Sequence, residues 1–299
     1  MLRIIQPCVI KTKFVITNGL SSVVLKNKVY DISLSLGLFS MIGNTEIKKE
    51  HKLQLYKHLV KKHPSTKMFE LGNMCPTYAL PMGEDMIELY SQCITHNKEN
   101  ELKDIDIYVN ATTNEHVEKA LQNNISNINF LLSSSLSFQT MSYYTDIEDV
   151  ENTIEWSQRL KVPPKNGRIH VDCLTECPME GMISLKSIIQ KLACYLYEFP
   201  RYKLSLGNSR RQLTPKDFYN LVSKLTSYVG YDISDRLAVQ FSIPLADKQL
   251  QKETKSFIEE YPEIQLHVSA INGEYNVPAK YQGSSYNVLT YQALNDLRN

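Results

Sequence analysis

The chain has 299 residues, of which 42% are hydrophobic and 22% charged, so it is long enough to bury one large core. A formal net charge of +1 argues against nucleic acid as a partner, and no apolar run approaches the roughly 20 residues that a transmembrane helix needs. Its six cysteines include no CxxC pair, which argues against a zinc site or a disulfide scaffold. We therefore expect a reducing compartment, the cytoplasm.

Residues 1–28 are predicted to form a β-hairpin extension. Asn18-Gly19 is a turn signal, and the β-branched pairs Val15-Ile16 and Val23-Val24 flank it. The segment is also basic, with no acidic residue before Asp31, which leaves a mitochondrial targeting segment as the weaker alternative.

From residue 29 onward, β-like segments alternate with amphipathic ones in eight units, a pattern typical of a parallel sheet with crossover helices. The predicted strands are Tyr30 to Ser35, Lys67 to Leu71, Ile105 to Val109, Ile128 to Leu132, Ile169 to Cys173, Lys203 to Leu206, Leu237 to Phe241 and Ile264 to Ala270. The predicted helices include His51 to Lys62, Glu84 to Thr95, Glu115 to Asn123, Asp146 to Leu160, Pro215 to Tyr228 and Asp247 to Glu260. We predict an α/β fold in which residues 29–299 form a single (β/α)8 TIM barrel with a short last helix.

The fifth unit contains the most distinctive stretch. A strand that ends at Cys173 is followed by a loop that opens at Thr175 and is broken by Pro178 and Gly181. Ser184 is predicted to cap the next helix by accepting a backbone N–H. The unit is therefore a strand, a loop and a helix.

Three groups of residues, in the same order along the chain, resemble one family. They are Phe69-Glu70-Leu71 with Pro76 and Pro81-Met82; Cys173 with Cys177-Pro178-x-Glu180-Gly181-x-Ile183-Ser184; and Ser205-Leu206-Gly207-Asn208-Ser209 with Thr214-Pro215. The chain resembles the hydroxymethylglutaryl-CoA lyases, members of the metal-dependent lyase and aldolase superfamily of TIM barrels with a pyruvate carboxyltransferase-like domain. The resemblance extends from about Val29 to Leu294 and implies a site at the C-terminal ends of the strands.

Where the family carries its strongest catalytic groups, this sequence has residues of another kind. An Arg-Asp pair after the first strand is matched by Gly37 and Leu38, which can supply neither a fixed cation nor a metal ligand. A His-x-His pair on the seventh strand is matched by Gln240 and Ser242. These neutral oxygen ligands bind transition metals poorly, so we predict no metal.

At the remaining family positions, some residues are replaced and others are retained. Asn208 replaces an aspartate after the sixth strand, and Asn276 replaces a catalytic cysteine. Asn287 matches an asparagine ligand if one residue is inserted. Glu70 matches a family glutamate near the metal, but a single carboxylate on a strand is equally well explained as a structural hydrogen-bond acceptor.

Other titratable residues offer no clear substitute. His51, His58 and His63 lack the HExxH spacing and are interpreted as surface residues. His170 and Asp172 share one face of a strand, and a satisfied core pair is preferred there over a base or a metal half-site. The phosphate-binding and nucleophile-elbow motifs GxGxxG, GxxxxGK[ST] and GxSxG are absent.

The sequence thus favours a lyase-like barrel that has lost its metal and catalytic residues and acts as a binding, scaffolding or regulatory protein without a cofactor. One alternative is a divergent carbon–carbon lyase or aldolase that acts on an acyl-CoA or organic acid, and another is an acyl-CoA binding protein. The expected partner is either another protein or such a ligand, and the resemblance leaves a homodimer open.

Overall fold

The structure, a computed structural model, describes residues 28–35, 49–74, 83–207, 213–241, 248–270 and 289–298. Its strands are β1 (Val29–Asp31), β2 (Met68–Asn73), β3 (Asp106–Ala111), β4 (Asn127–Ser133), β5 (Asn166–Asp172), β6 (Glu176–Cys177), β7 (Gly181–Met182), β8 (Lys203–Leu206), β9 (Leu237–Val239) and β10 (Gln265–Val268). Its helices are α1 (Lys49–Lys62), α2 (Gly83–Glu99), α3 (Asn114–Gln122), α4 (Leu136–Tyr143), α5 (Ile147–Arg159), α6 (Leu185–Glu198), α7 (Pro215–Val229), α8 (Lys248–Glu260) and α9 (Tyr291–Arg298). A 3₁₀ turn, Ser234–Arg236, precedes β9.

Eight parallel strands close into a barrel in the order β1, β2, β3, β4, β5, β8, β9 and β10. Closure is made by β1, which pairs with β2 on one side and with β10 on the other. The (β/α)8 barrel predicted from the sequence is therefore confirmed. The hairpin predicted for residues 1–28 lies, apart from Lys28, outside the described residues.

Most of the aliphatic core lies between the barrel and its surrounding helices. On β4, for example, Ile128, Phe130 and Leu132 are fully buried members of this core, while the alternate residues point into the barrel. The helices complete it with one apolar face each, such as Phe218, Leu221 and the neighbouring residues of α7. This arrangement leaves the interior of the barrel to a separate set of side chains.

The structure corrects several local predictions. The first strand ends at Asp31 rather than Ser35, because a turn follows in which the Ser35 backbone N–H donates to the Ile32 carbonyl. The short helix α4 and the hairpin formed by β6 and β7 were not predicted. Ser184 does precede α6, but its side chain makes no capping hydrogen bond.

The eight-residue helix α9 agrees with the predicted short last helix and connects the end of the barrel to its beginning. The Tyr291 hydroxyl donates to Asp31 Oδ2 on β1 at 2.6 Å, and the His63 ring stacks on Tyr291 with centroids 3.6 Å apart. His63, which is partly exposed, is therefore part of this junction, and His51 and His58 are exposed as predicted. Among the described helices, none is long and apolar enough to span a membrane.

Candidate functional site

The interior of the barrel is unusually polar. In most TIM barrels this space is filled by bulky aliphatic side chains. Here it contains seven buried polar and charged residues from six of the strands, and they are Glu70, Asn110, Asn129, Arg168, Ser205, Gln265 and His267. A smaller apolar cluster, Tyr30, Ile32 and Tyr108, accompanies them.

Glu70 lies at the centre of a buried hydrogen-bond network. Its Oε2 accepts from the Tyr30 hydroxyl at 2.8 Å and from Asn129 Nδ2 at 3.0 Å, and its Oε1 accepts from Asn110 Nδ2 at 3.0 Å. The same two amides also contact each other, because Asn129 Nδ2 lies 2.8 Å from Asn110 Oδ1. Both carboxylate oxygens are therefore occupied by side chains from neighbouring strands.

Arg168 supplies the opposite charge. Its guanidinium carbon lies 3.8 Å from the centroid of the Tyr30 ring, and an Nη atom donates to Gln265 Oε1. Tyr30 thus joins the two charges, since its hydroxyl binds Glu70 and its ring face lies against Arg168. Burial, followed by the Glu70 charge, raises the pKa of Tyr30 well above its ordinary value, so this hydroxyl stays a donor.

Three strands bring together a second buried group. Ser205 Oγ lies 3.1 Å from His170 Nδ1 and 2.9 Å from His267 Nε2. Burial is the main cause that lowers the pKa of His267 well below its ordinary value, and the Arg168 charge acts in the same direction. His267 is therefore neutral at physiological pH.

His170 also reaches the open end of the barrel, where the C-terminal ends of the strands meet. It is partly exposed, as is Gln240 just after β9, and Gly207 lies between them. A side-chain carbon on Gly207 would lie 2.8 Å from His170 Cε1, 3.2 Å from His170 Nε2 and 3.3 Å from Gln240 Oε1. The His170 ring and the Gln240 side chain therefore pack so closely on residue 207 that a side chain there would displace them.

A thiol cluster adjoins this end at the loop after β5. Cys173 is buried with a left-handed φ of 56°, and the Ser135 hydroxyl donates to Cys177 Sγ at 2.9 Å. Burial, followed by the Asp172 charge, raises the pKa of the Cys173 thiol. A protonated, buried thiol is a poor nucleophile, which disfavours Cys173 in that role.

The predicted site positions divide into two groups. Glu70 and Gln240 are described, the first inside the barrel and the second at its open end. The other positions lie outside the described residues, and they are Gly37, Leu38, Asn208, Ser242, Asn276 and Asn287.

His170 and Asp172 do not behave as one core pair. Asp172 is fully buried and accepts from the Cys173 backbone N–H at 2.8 Å, as a satisfied core residue would. His170 is instead partly exposed and bonded to Ser205, so its interpretation as core was wrong.

Sequence reasoning missed most of the interior network, although a signal for it was present. Polar residues alternate with apolar ones in strands that should be apolar on both faces of a parallel barrel, as in Asn127-Ile128-Asn129 and Gln265-Leu266-His267. That alternation marks side chains that point into the barrel.

Comparisons with known proteins agree with this fold. No protein-family model matches the chain, and no curated protein sequence matches it. Solved structures of hydroxymethylglutaryl-CoA lyases do match. The enzyme from Pseudomonas aeruginosa is 16% identical with a TM-score of 0.68, covering 93% of this chain and 86% of its own. The enzyme from Bacillus subtilis is 15% identical with a TM-score of 0.69, covering 92% and 87%.

A third lyase, from Acinetobacter baumannii and in complex with coenzyme A and 3-methylmalate, is 18% identical with a TM-score of 0.68, covering 93% of this chain and 91% of its own. At such identities the likeness establishes a shared fold. The resemblance seen in the sequence is thus confirmed at the level of the barrel.

Proposed function

We propose that this protein is a lyase-like barrel that does not carry out metal-dependent carbon–carbon cleavage and that acts by binding, as a scaffold or regulator. The observation that carries the proposal is the state of Glu70. The carboxylate that matches a glutamate near the lyase metal accepts hydrogen bonds on both oxygens from three buried side chains. It serves as a structural acceptor for the interior network.

A divalent ion does not fit the donors present. Hydrogen bonds from Tyr30, Asn110 and Asn129 already use three of the roughly four lone-pair sites of the Glu70 carboxylate, which leaves it little capacity to bind an ion. Across the described ranges, no group of three His, Cys, Asp or Glu side chains is arranged to hold a metal. In sequence, the positions that match the lyase His-x-His pair are Gln240 and Ser242, whose neutral oxygens are weak ligands.

The lyase reaction also needs groups that this sequence lacks at the matching positions. Gly37 and Leu38 cannot replace an arginine that holds a developing negative charge or an aspartate that holds the metal. Asn276 cannot replace the thiol that protonates the product enolate. Because each such group contributes orders of magnitude in rate, their joint loss leaves little catalysis.

The first test compares this protein with the Bacillus subtilis lyase as a positive control. Purified protein is assayed for cleavage of hydroxymethylglutaryl-CoA, for bound metal, and for thermal stabilisation by Mg²⁺ or Mn²⁺. We expect no turnover and no metal-dependent shift in Tm. Turnover would instead support the alternative of a divergent lyase, and a stoichiometric bound ion would contradict the proposal.

A second candidate function, binding of a small organic acid or acyl-CoA, is favoured by the partly exposed polar side chains of His170 and Gln240 at the open end of the barrel. His170 Nε2 and Gln240 Oε1 converge there, and convergent polar groups in a barrel opening are typical of a ligand site. The Acinetobacter baumannii lyase was solved with coenzyme A and 3-methylmalate, which makes these two compounds the natural first probes.

Calorimetric titration of the two probes tests this candidate. Gly207→Ala places a methyl group against the His170 ring and displaces it, so we expect the substitution to abolish any binding seen with the wild type, while a thermal melt checks that the variant is folded. Binding that survives Gly207→Ala would place the ligand elsewhere.

A further inference from the structure

His170, Ser205 and His267 form a continuous hydrogen-bonded chain from the barrel interior to its open end. They belong to three strands, β5, β8 and β10, and Ser205 lies in the middle with its Oγ 3.1 Å from His170 Nδ1 and 2.9 Å from His267 Nε2. Ser205 and His267 are buried, whereas His170 is partly exposed. This series of hydrogen bonds is therefore closed off from solvent at His267 and open to it at His170.

The surroundings of His267, at the buried end, fix the direction of the hydrogen bonds. His267 Nδ1 is buried and has no hydrogen-bond partner among the described residues. A buried N–H without an acceptor is rarer and costlier in proteins than a buried acceptor without a donor. The single proton of the neutral His267 ring therefore resides on Nε2, which donates to Ser205 Oγ.

The direction of the hydrogen bond between His267 and Ser205 also decides the direction of the one between Ser205 and His170. The Ser205 hydroxyl has one hydrogen, and His170 Nδ1 is its other hydrogen-bond partner among the described residues, so the hydroxyl donates to that nitrogen. A neutral His170 that accepts on Nδ1 must carry its own proton on Nε2. That nitrogen lies 3.2 Å from the position that a Gly207 side chain would occupy, at the opening of the barrel.

We propose that Ser205 and His267 are positioning residues, which hold neutral His170 in the Nε2–H tautomer so that it presents a fixed N–H donor at the open end of the barrel. The ligand group that it recognises is an acceptor oxygen, from either a carboxylate or a thioester carbonyl. This last step rests on the ligand-binding role proposed above, whereas the tautomer of the free protein does not.

Long-range ¹H–¹⁵N NMR of the full-length protein, labelled with ¹⁵N-histidine, reads the tautomer directly. The signals are assigned with His170→Gln and His267→Gln. At neutral pH we expect both rings to carry the proton on Nε2. A proton on Nδ1 of His267, or a His170 ring that averages between tautomers, would overturn the proposal.

Ser205→Ala separates a positioning role from a merely structural one. Without the hydroxyl, His170 should lose its fixed tautomer, and Ser205→Thr, which keeps the hydroxyl, should restore it. Ser157→Ala is the matched control, because Ser157 is a buried serine bonded to Tyr202 and the Ile154 carbonyl and not to this chain. An unchanged His170 spectrum in folded Ser205→Ala would refute the role of Ser205, and if that variant does not fold, the wild-type tautomers decide.

Two ligand arms then distinguish the sources of the acceptor oxygen. Addition of 3-methylmalate supplies carboxylates, and addition of acetyl-CoA supplies a thioester carbonyl. We expect one of them to shift His170 Nε2 far more than any nitrogen of His267. If both rings carry the proton on Nε2 but His170 responds to neither compound, the ligand role is refuted and the positioning role stands. If a compound binds but the rings carry the proton on Nδ1, the positioning role alone is refuted.

Discussion

At the scale of single residues, the environment of Glu70 is what supports the proposal that this barrel works without a metal. A metal ligand needs a free lone pair directed at the ion, but three buried side chains already occupy most of the lone-pair sites of Glu70. Together with the Arg168 guanidinium on the other side of Tyr30, it balances the charge of the interior. Losing one buried partner of such a pair costs more than the pair contributes, because the other charge is left uncompensated.

Glu70→Gln tests this structural role. The amide keeps the shape but places an NH₂ group against the Tyr30 hydroxyl or the amide donors, and it leaves Arg168 without a counter-charge. We expect the free energy of unfolding to fall by about 3 kcal/mol in denaturant titrations.

Glu118→Gln on the exposed face of α3 is the matched control and should change stability by less than about 0.5 kcal/mol. If Glu70→Gln had the stability of the wild type, the carboxylate would not be a structural acceptor. Its assignment near a metal would then have to be reopened.

At the scale of elements, the hydrophobic periodicity of the sequence predicted the barrel strands but missed the short helix α4 and the hairpin of β6 and β7. Every barrel strand was anticipated within a few residues, because its buried alternation is visible in the sequence. Helix α4 was missed because its large apolar residues do not share one buried face: Phe138 is buried, whereas Leu136 and Met141 are exposed. Its N-cap is defined by Ser135, which accepts from the Phe138 backbone N–H.

The N-caps of α6 and α7 offer a prediction with an internal control. Thr214 accepts from the Asp217 backbone N–H at 3.2 Å, and Asp217 accepts in return from the Thr214 backbone N–H at 3.0 Å, a complete capping box. Ser184 occupies the same place in α6 without a side-chain bond.

Thr214→Ala should therefore lower the free energy of unfolding by about 1 kcal/mol, and Ser184→Ala by clearly less. Thermal or denaturant unfolding of the two variants side by side measures the difference. Equal losses would mean that the cap bonds of α7 do not contribute beyond helix propensity.

At the scale of the whole molecule, the closed barrel buries ionisable groups that titrate freely in the unfolded chain. His267 remains neutral in the folded protein because burial and the Arg168 charge both disfavour its charged form. Unfolding exposes it to water, where its pKa returns toward the ordinary value of 6.5. Below that pH the unfolded chain binds a proton that the folded protein does not, so stability must fall as the pH falls.

Comparison of the wild type with His267→Gln isolates this contribution. Below about pH 6 the wild type should lose up to about 1.4 kcal/mol per pH unit more than the variant, in free energies of unfolding measured across the acid range. His51→Gln, an exposed change on α1, should retain the wild-type slope. Parallel curves for the wild type and His267→Gln would show that His267 is protonated in the folded state.

The sequence by itself determined the (β/α)8 barrel, since the alternation of strand and helix periods allows few other folds. That Gln240 and Ser242 stand at the positions of the family's His-x-His pair remains a prediction from the sequence. Only the tertiary structure decided which interior residues meet. A period of two shows which side chains point inward, but their partners depend on the register and closure of strands far apart in the chain. That is why the bonds from Glu70 to Asn129, and from Ser205 to His267, follow from the closed barrel alone.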